Sequence, residues 1–203
     1  VGSVLYLTDV LALRRRGEDW PLRRRAAWTD GMLVVAWATS GGLGTYTHVL
    51  FSAHLTSQAL LVMVAAPLLV LGAPGALAAS SLPGPRQAGE ISPRDLLLAV
   101  CSSRAVRRLG HPLCGLVLLS ATALILYGSP LFAALMSSLL GHLGMELWIL
   151  TVGLVLHTGL FGSSLLPELD LRLRSLTARV AMLLAAGFGL ALLASDTSVG
   201  QDY

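Results

Sequence analysis

The chain has 203 residues, of which 55% are apolar and only 12% charged, and its mean hydropathy is +0.74. A soluble domain carries about a quarter charged residues, so this composition excludes an ordinary soluble fold and points to an all-α, polytopic transmembrane helical bundle. The net charge of +3 does not indicate nucleic acid: every basic residue is an arginine flanking an apolar run, where a guanidinium reaches lipid headgroups along its apolar stem.

The first apolar run, 1–13, is too short to cross about 30 Å of hydrocarbon as a helix. We read it as the inner end of a segment whose outer half precedes Val1. An Arg-rich loop, 14–28, leads to a second helix expected over 31–47 and loosened at its far end by Gly41-Gly42-Leu43-Gly44. A third helix over 49–81 is too long for one straight span. Pro67 and the Gly72-Ala73-Pro74 step should kink or break it, because each proline removes a backbone donor.

Segment 82–109 is the only long polar stretch. Within it, Ser92-Pro93 followed by Asp95 has the form of a helix start, and Leu96–Val100 suggests a short helix at the membrane surface. A fourth helix is expected over 110–128, a short amphipathic or re-entrant piece over 131–141, a fifth helix over 143–164 and a sixth over 175–195. About six membrane segments in a single domain, 1–203, result. Gly153, and Gly187 with Gly189, are expected to let helices approach closely.

All fourteen basic residues fall within 14–28, 82–109 and 165–179. Alternate connections of a multi-pass protein show this pattern when Lys/Arg are retained on the cytoplasmic side. Those three loops are therefore expected inside, and 44–50, 129–142 and 196–203 outside. Cys101 and Cys114 then lie on or near the reducing side, as free thiols.

The residues with chemistry lie at the other end: His48, His54, Gln58, His142, Met145 and Glu146. His54 and Gln58 are four apart and share one helix face, as do His142 and Glu146. If the third and fifth helices are neighbours, His54, His142, Met145 and Glu146 converge, and imidazole, thioether and carboxylate together suit copper or another transition metal. The alternative is that these groups are wetted or hydrogen-bonded between helices. His111 reads as a helix-start residue, His157 as an interhelical hydrogen-bonding group, and Met63 and Met136 as packing. No catalytic triad, phosphate loop, CxxC or HExxH is present, so no enzymatic activity is expected.

Leu50-Phe51-Ser52-Ala53-His54 followed by Leu61-Val62-Met63-Val64-Ala65-Ala66-Pro67-Leu68-Leu69-Val70-Leu71-Gly72-Ala73-Pro74 resembles the CtaG-like cytochrome c oxidase assembly proteins of bacteria, including those in which this module follows a copper-resistance D domain. Arg14-Arg15-Arg16-Gly17 with Trp20-Pro21, Leu126-Tyr127-Gly128-Ser129-Pro130-Leu131-Phe132, Gly141-His142-Leu143-Gly144-Met145 and the tail from Gly189 are also similar. The resemblance implies a multi-pass protein of the bacterial plasma membrane that delivers copper to an oxidase, with histidines near the outer face as ligands. It also exposes departures. Gln58 stands where the family has a second histidine; Glu146 and Trp148 stand where it has a histidine or asparagine and then a histidine; and about Ala185 stands where its last helix carries one. An amide is a poor ligand for soft copper(I), and tryptophan offers no lone pair. The expectation is a degenerate member in which the scaffold is kept and copper binding is weakened or gone. The competing reading is a non-catalytic scaffold or accessory subunit of a larger membrane complex; a transporter is a third.

Overall fold

The computed structural model describes residues 2–47, 50–85, 90–162, 165 and 170–194, with the backbone alone for 191–194. His48 and the tail beyond 194 lie outside the described residues, as do Ser163 and Ser164. Every regular element among the described residues is helical. Three helical stretches are long and apolar enough to cross a membrane: Phe51–Ser81, Leu139–Phe161 and Leu171–Leu190. The apolar helix Pro112–Tyr127 is shorter. The chain is an all-α membrane bundle, with large apolar side chains such as Leu124, Met182 and Leu183 turned outward.

Helix α1 runs Gly2–Arg15 and α2 Leu22–Ser40. The latter begins well before the expected 31, because the arginines taken as loop form its first turns. Pro21 is extended and sets the entry, and Leu-Arg-Arg-Arg-Ala-Ala is a run of strong helix formers. A short α3, Gly42–Tyr46, follows the glycines.

The long third helix is broken where its prolines lie. It consists of α4 (Phe51–Leu60), a π-helical turn (Leu61–Ala65), α5 (Ala66–Leu71) and α6 (Pro74–Ser81). Pro67 has no N–H and its ring would crowd the carbonyl four residues back; the wider π turn just before it relieves that conflict. At the second break, Ala73 is left-handed, with φ 49°.

The polar segment holds α7 (Pro93–Ser102) and α8 (Arg104–Leu109). The expected start of α7 is a full capping box: Asp95 N–H donates to Ser92 Oγ, and Ser92 N–H donates to the Asp95 carboxylate at 3.1 Å. These donors from the Ser92 hydroxyl and backbone hold the Asp95 carboxyl below its ordinary range. Next come α9 (Pro112–Tyr127), α10 (Leu131–Met136), α11 (Leu139–Phe161) and α12 (Leu171–Ala194). His111 caps α9, its Nδ1 accepting from Leu113 N–H at 3.3 Å, as its place beside Pro112 predicted.

Close approaches fix the helix register and separate the two ends of the bundle. Leu69 lies against Gly31 and Trp28 against Gly72; Ala66 lies against Gly153, Leu156 against Gly115, and Pro112 against Gly159. Ser57 Oγ donates to Ala38 O at 3.0 Å. With these pairs aligned, the arginine-bearing starts of α2 and α12 share one end with Gly72, Pro112 and Phe161. His54, Tyr127 and His142 share the other. The expected role of Gly153 holds. That of Gly187 and Gly189 does not, since both face open space. His157 is also reassigned: its Nδ1 lies 2.8 Å from Gly153 O, one turn back on its own helix. Met63 faces outward instead of packing inside.

At the arginine-rich end, Trp20 Nε1 donates to Tyr6 Oη at 2.9 Å and Tyr6 donates to Gly72 O at 2.9 Å. The Tyr6 ring stacks on Trp28 with centroids 4.7 Å apart. One hydroxyl therefore ties α1, the loop before α2 and the helix break together. Replacing Tyr6 by phenylalanine keeps the stacking but leaves a buried donor and acceptor unsatisfied. The expected cost is about 1–3 kcal/mol, read as a lower midpoint in denaturant titration of the micelle-embedded protein; an unchanged midpoint contradicts the latch.

Candidate functional site

The histidine end holds a compact polar cluster inside an aromatic collar. His54 sits one turn into α4 and is 1% exposed; His142 sits one turn into α11 and is 3% exposed. Their ring centroids are 5.6 Å apart, so the two helices are neighbours and the pairs expected on them converge. Ser138 starts α11 by accepting from Gly141 N–H at 3.1 Å, which orients the turn that carries His142.

Each imidazole has a partner four residues on along its own helix. Gln58 Nε2 lies 2.6 Å from His54 Nε2. The Tyr127 hydroxyl donates to Gln58 Oε1, which fixes the amide so that its N–H₂ faces the ring. His54 Nε2 is then an acceptor, and its ring proton belongs on Nδ1. His142 Nε2 lies 3.2 Å from Glu146 Oε1, a close contact without aligned hydrogen-bond geometry. His142 Nδ1 lies 3.2 Å from the Met136 sulfur.

Phe132 closes the site, its ring edge-on to His54 with centroids 5.2 Å apart and likewise edge-on to Phe51 at 5.6 Å. Tyr127 packs on Phe132 and, from the far side, on Phe188 of α12. Burial of two imidazoles, an amide and a carboxyl in one place is costly unless they satisfy one another. The helical spacing i, i+4 meets much of that need locally.

Of the four residues singled out as metal ligands, His54, His142 and Glu146 are brought together. Met145 is buried in the apolar cluster with Ala38, Leu61, Val62 and Ile149, and the sulfur beside an imidazole is that of Met136. Met136 ends the one-and-a-half-turn α10, and the chain reverses through Ser137 and Ser138 to bring it back over His142. That fold-back is a tertiary effect, and only the methionine's place six residues before a histidine hinted at it. Tyr127 was legible as a motif but not as the partner of Gln58. Trp148 turns away and donates from Nε1 to Thr122 Oγ1 at 3.1 Å; Ala185 lies exposed on α12.

Among the described residues, no group of three or more His, Cys, Asp or Glu side chains is arranged to hold a metal ion. The donors on hand are two imidazoles and one thioether, with a carboxylate at the margin. That set is chemically suited to copper(I) in kind, but the lone pair of His54 Nε2 is already engaged by the Gln58 amide.

The sequence profile of the cytochrome c oxidase caa3 assembly factor family matches residues 4–203. The chain is 32% identical over 206 aligned positions to an uncharacterized protein of Mycobacterium bovis and, equally, to one of Mycobacterium tuberculosis, covering 99% of this chain and 31% of each relative. It is 30% identical over 203 positions to an uncharacterized protein of Mycobacterium leprae, covering 98% of this chain and 30% of the relative. The chain thus spans about a third of the length of these relatives. No solved structure matches it. Its helical membrane architecture and this end-to-end match establish that the chain belongs to the cytochrome c oxidase caa3 assembly factor family.

Proposed function

We propose that this domain is the membrane-embedded part of an oxidase assembly factor in a bacterial plasma membrane, and that its buried cluster handles copper weakly as cargo. The arginine-rich end would face the cytoplasm, since guanidinium groups are retained there. The cluster would then lie near the outer face, where copper is passed on to an oxidase. The observation that carries the weak-binding reading is the engagement of the His54 Nε2 lone pair by the Gln58 amide, 2.6 Å away. A metal ion must displace that amide before the lone pair is available.

Copper(I) titration of the purified protein against a coloured chelator tests this. Binding at one ion per chain only at high free copper is expected, with loss in both His54→Ala and His142→Ala. Binding that persists in both variants would overturn the site.

The hydrogen-bonded chain Tyr127–Gln58–His54 also favours a second reading, in which the domain is a scaffold that gathers membrane partners without metal. That reading predicts co-purification with an oxidase unchanged by His54→Ala and His142→Ala.

A further inference from the structure

The end of the bundle opposite the histidines is open between its helices. A groove of about 780 Å³ opens between the first turns of α2, the α5–α6 break and the last turns of α11. Its walls are Trp28, Leu69, Leu154 and Phe161, and Arg23 and Arg24 stand on its rim. We propose that this groove is a binding site for one anionic phospholipid, with the headgroup phosphate at Arg23 and Arg24 and an acyl chain along Leu154 and Phe161.

Charge complementarity selects this occupant. Among the described residues, no carboxylate lies within ion-pair distance of Arg23 or Arg24. Arg24 is held in place by its guanidinium lying over the Trp20 ring, 4.8 Å from the centroid, which leaves its positive edge for an anion. Across the groove, α6 begins after Ala73, whose side chain cannot cap it. The first-turn N–H groups of Gly75 and Ala76 therefore have no intrahelical acceptor, and both residues line the groove. A third cation, Arg174, bonds Leu160 O and lies against Gly162 at the groove's edge.

Cationic rim and apolar walls meet at the arginine-bearing end of the bundle. A soluble acidic peptide would satisfy the rim but not the walls; a zwitterionic lipid would satisfy the walls but leave the rim uncompensated. Basic pockets between membrane helices on the arginine-rich side hold anionic headgroups for this reason.

The test uses the whole chain in detergent micelles with equal phosphatidylglycerol and phosphatidylcholine, counting protein-bound lipid by native mass spectrometry. One tightly held phosphatidylglycerol is expected. The double variant Arg23→Gln/Arg24→Gln should reduce it by roughly tenfold or more, while Arg107→Gln/Arg108→Gln, equal in charge change but on α8, should alter it less than about twofold. Thr158→Trp keeps the arginines and fills the groove, so it too should expel the lipid while leaving the helical circular dichroism intact. Equal losses in the two double variants would show diffuse attraction and overturn the site, as would equal retention of phosphatidylcholine. Release by inorganic phosphate would make it a phosphate site and overturn the lipid assignment.

Discussion

Replacing Gly115 by leucine is expected to unseat α9 from α11 and to be among the most damaging single substitutions in the bundle. A Cβ added at Gly115 would stand 2.5 Å from Leu156 Cα and 2.8 Å from Leu156 N. Those atoms are backbone, so no rotamer change relieves the clash and the helices must separate. Overpacking of this kind costs about 3 kcal/mol, which for a chain of this size lowers the midpoint of thermal unfolding by about 6–12 °C. Gly153→Leu should behave similarly, because its Cβ would meet Ala66 Cβ at 2.9 Å and Val62 Cα at 3.1 Å.

Gly144→Leu and Gly187→Leu provide the contrast. Both are helical glycines with open space at the Cβ position, and leucine is the better helix former by roughly 1 kcal/mol. Their midpoints in the same detergent should hold or rise slightly. If all four variants unfold at the same temperature, interhelical contact at Gly115 and Gly153 is not what holds the bundle.

Those glycines mark the limit of what the sequence conveys. A small residue on an apolar helix signals close approach in general, yet Gly153 is in contact and Gly187 is not. The helix rotation that decides between them is set by partners far along the chain. Breaks, by contrast, were legible because they are local: Pro67 and the Gly72-Ala73-Pro74 step interrupt the third helix by removing donors from their own turns. So was the capping box at Ser92 and Asp95, which lies within four residues. The start of α2 was misplaced because charge was read as loop; Arg23, Arg24 and Arg25 are strong helix formers that happen to be charged.

The same distinction runs through the cluster at the histidine end. His54 with Gln58 and His142 with Glu146 were readable as pairs, since spacing along one helix fixes them. Their meeting depended on α4 and α11 being neighbours, which the sequence posed as a condition. Met136 and Tyr127 reach the cluster from α10 and α9, across turns whose direction no local pattern specifies.

Gln58→His is expected to strengthen copper(I) binding, and the wiring of the cluster gives the reason. In the native chain the Gln58 amide donates to His54 Nε2, while its oxygen accepts from Tyr127. The lone pair a metal needs is thus occupied by a hydrogen bond worth about 1 kcal/mol in net terms. Histidine at 58 removes that donor and offers a third nitrogen near His54 and His142, a donor type that copper(I) accepts more readily than an amide oxygen. A gain of at least tenfold in affinity, about 1.4 kcal/mol, should appear in the chelator competition. Gln58→Ala separates the two contributions: it frees His54 without adding a ligand, so its gain should be smaller. If alanine and histidine at 58 bind copper equally well, the added imidazole does not reach the ion. If neither binds better than the native chain, the Gln58 amide is not what holds copper off, and the weak-binding proposal loses its physical cause.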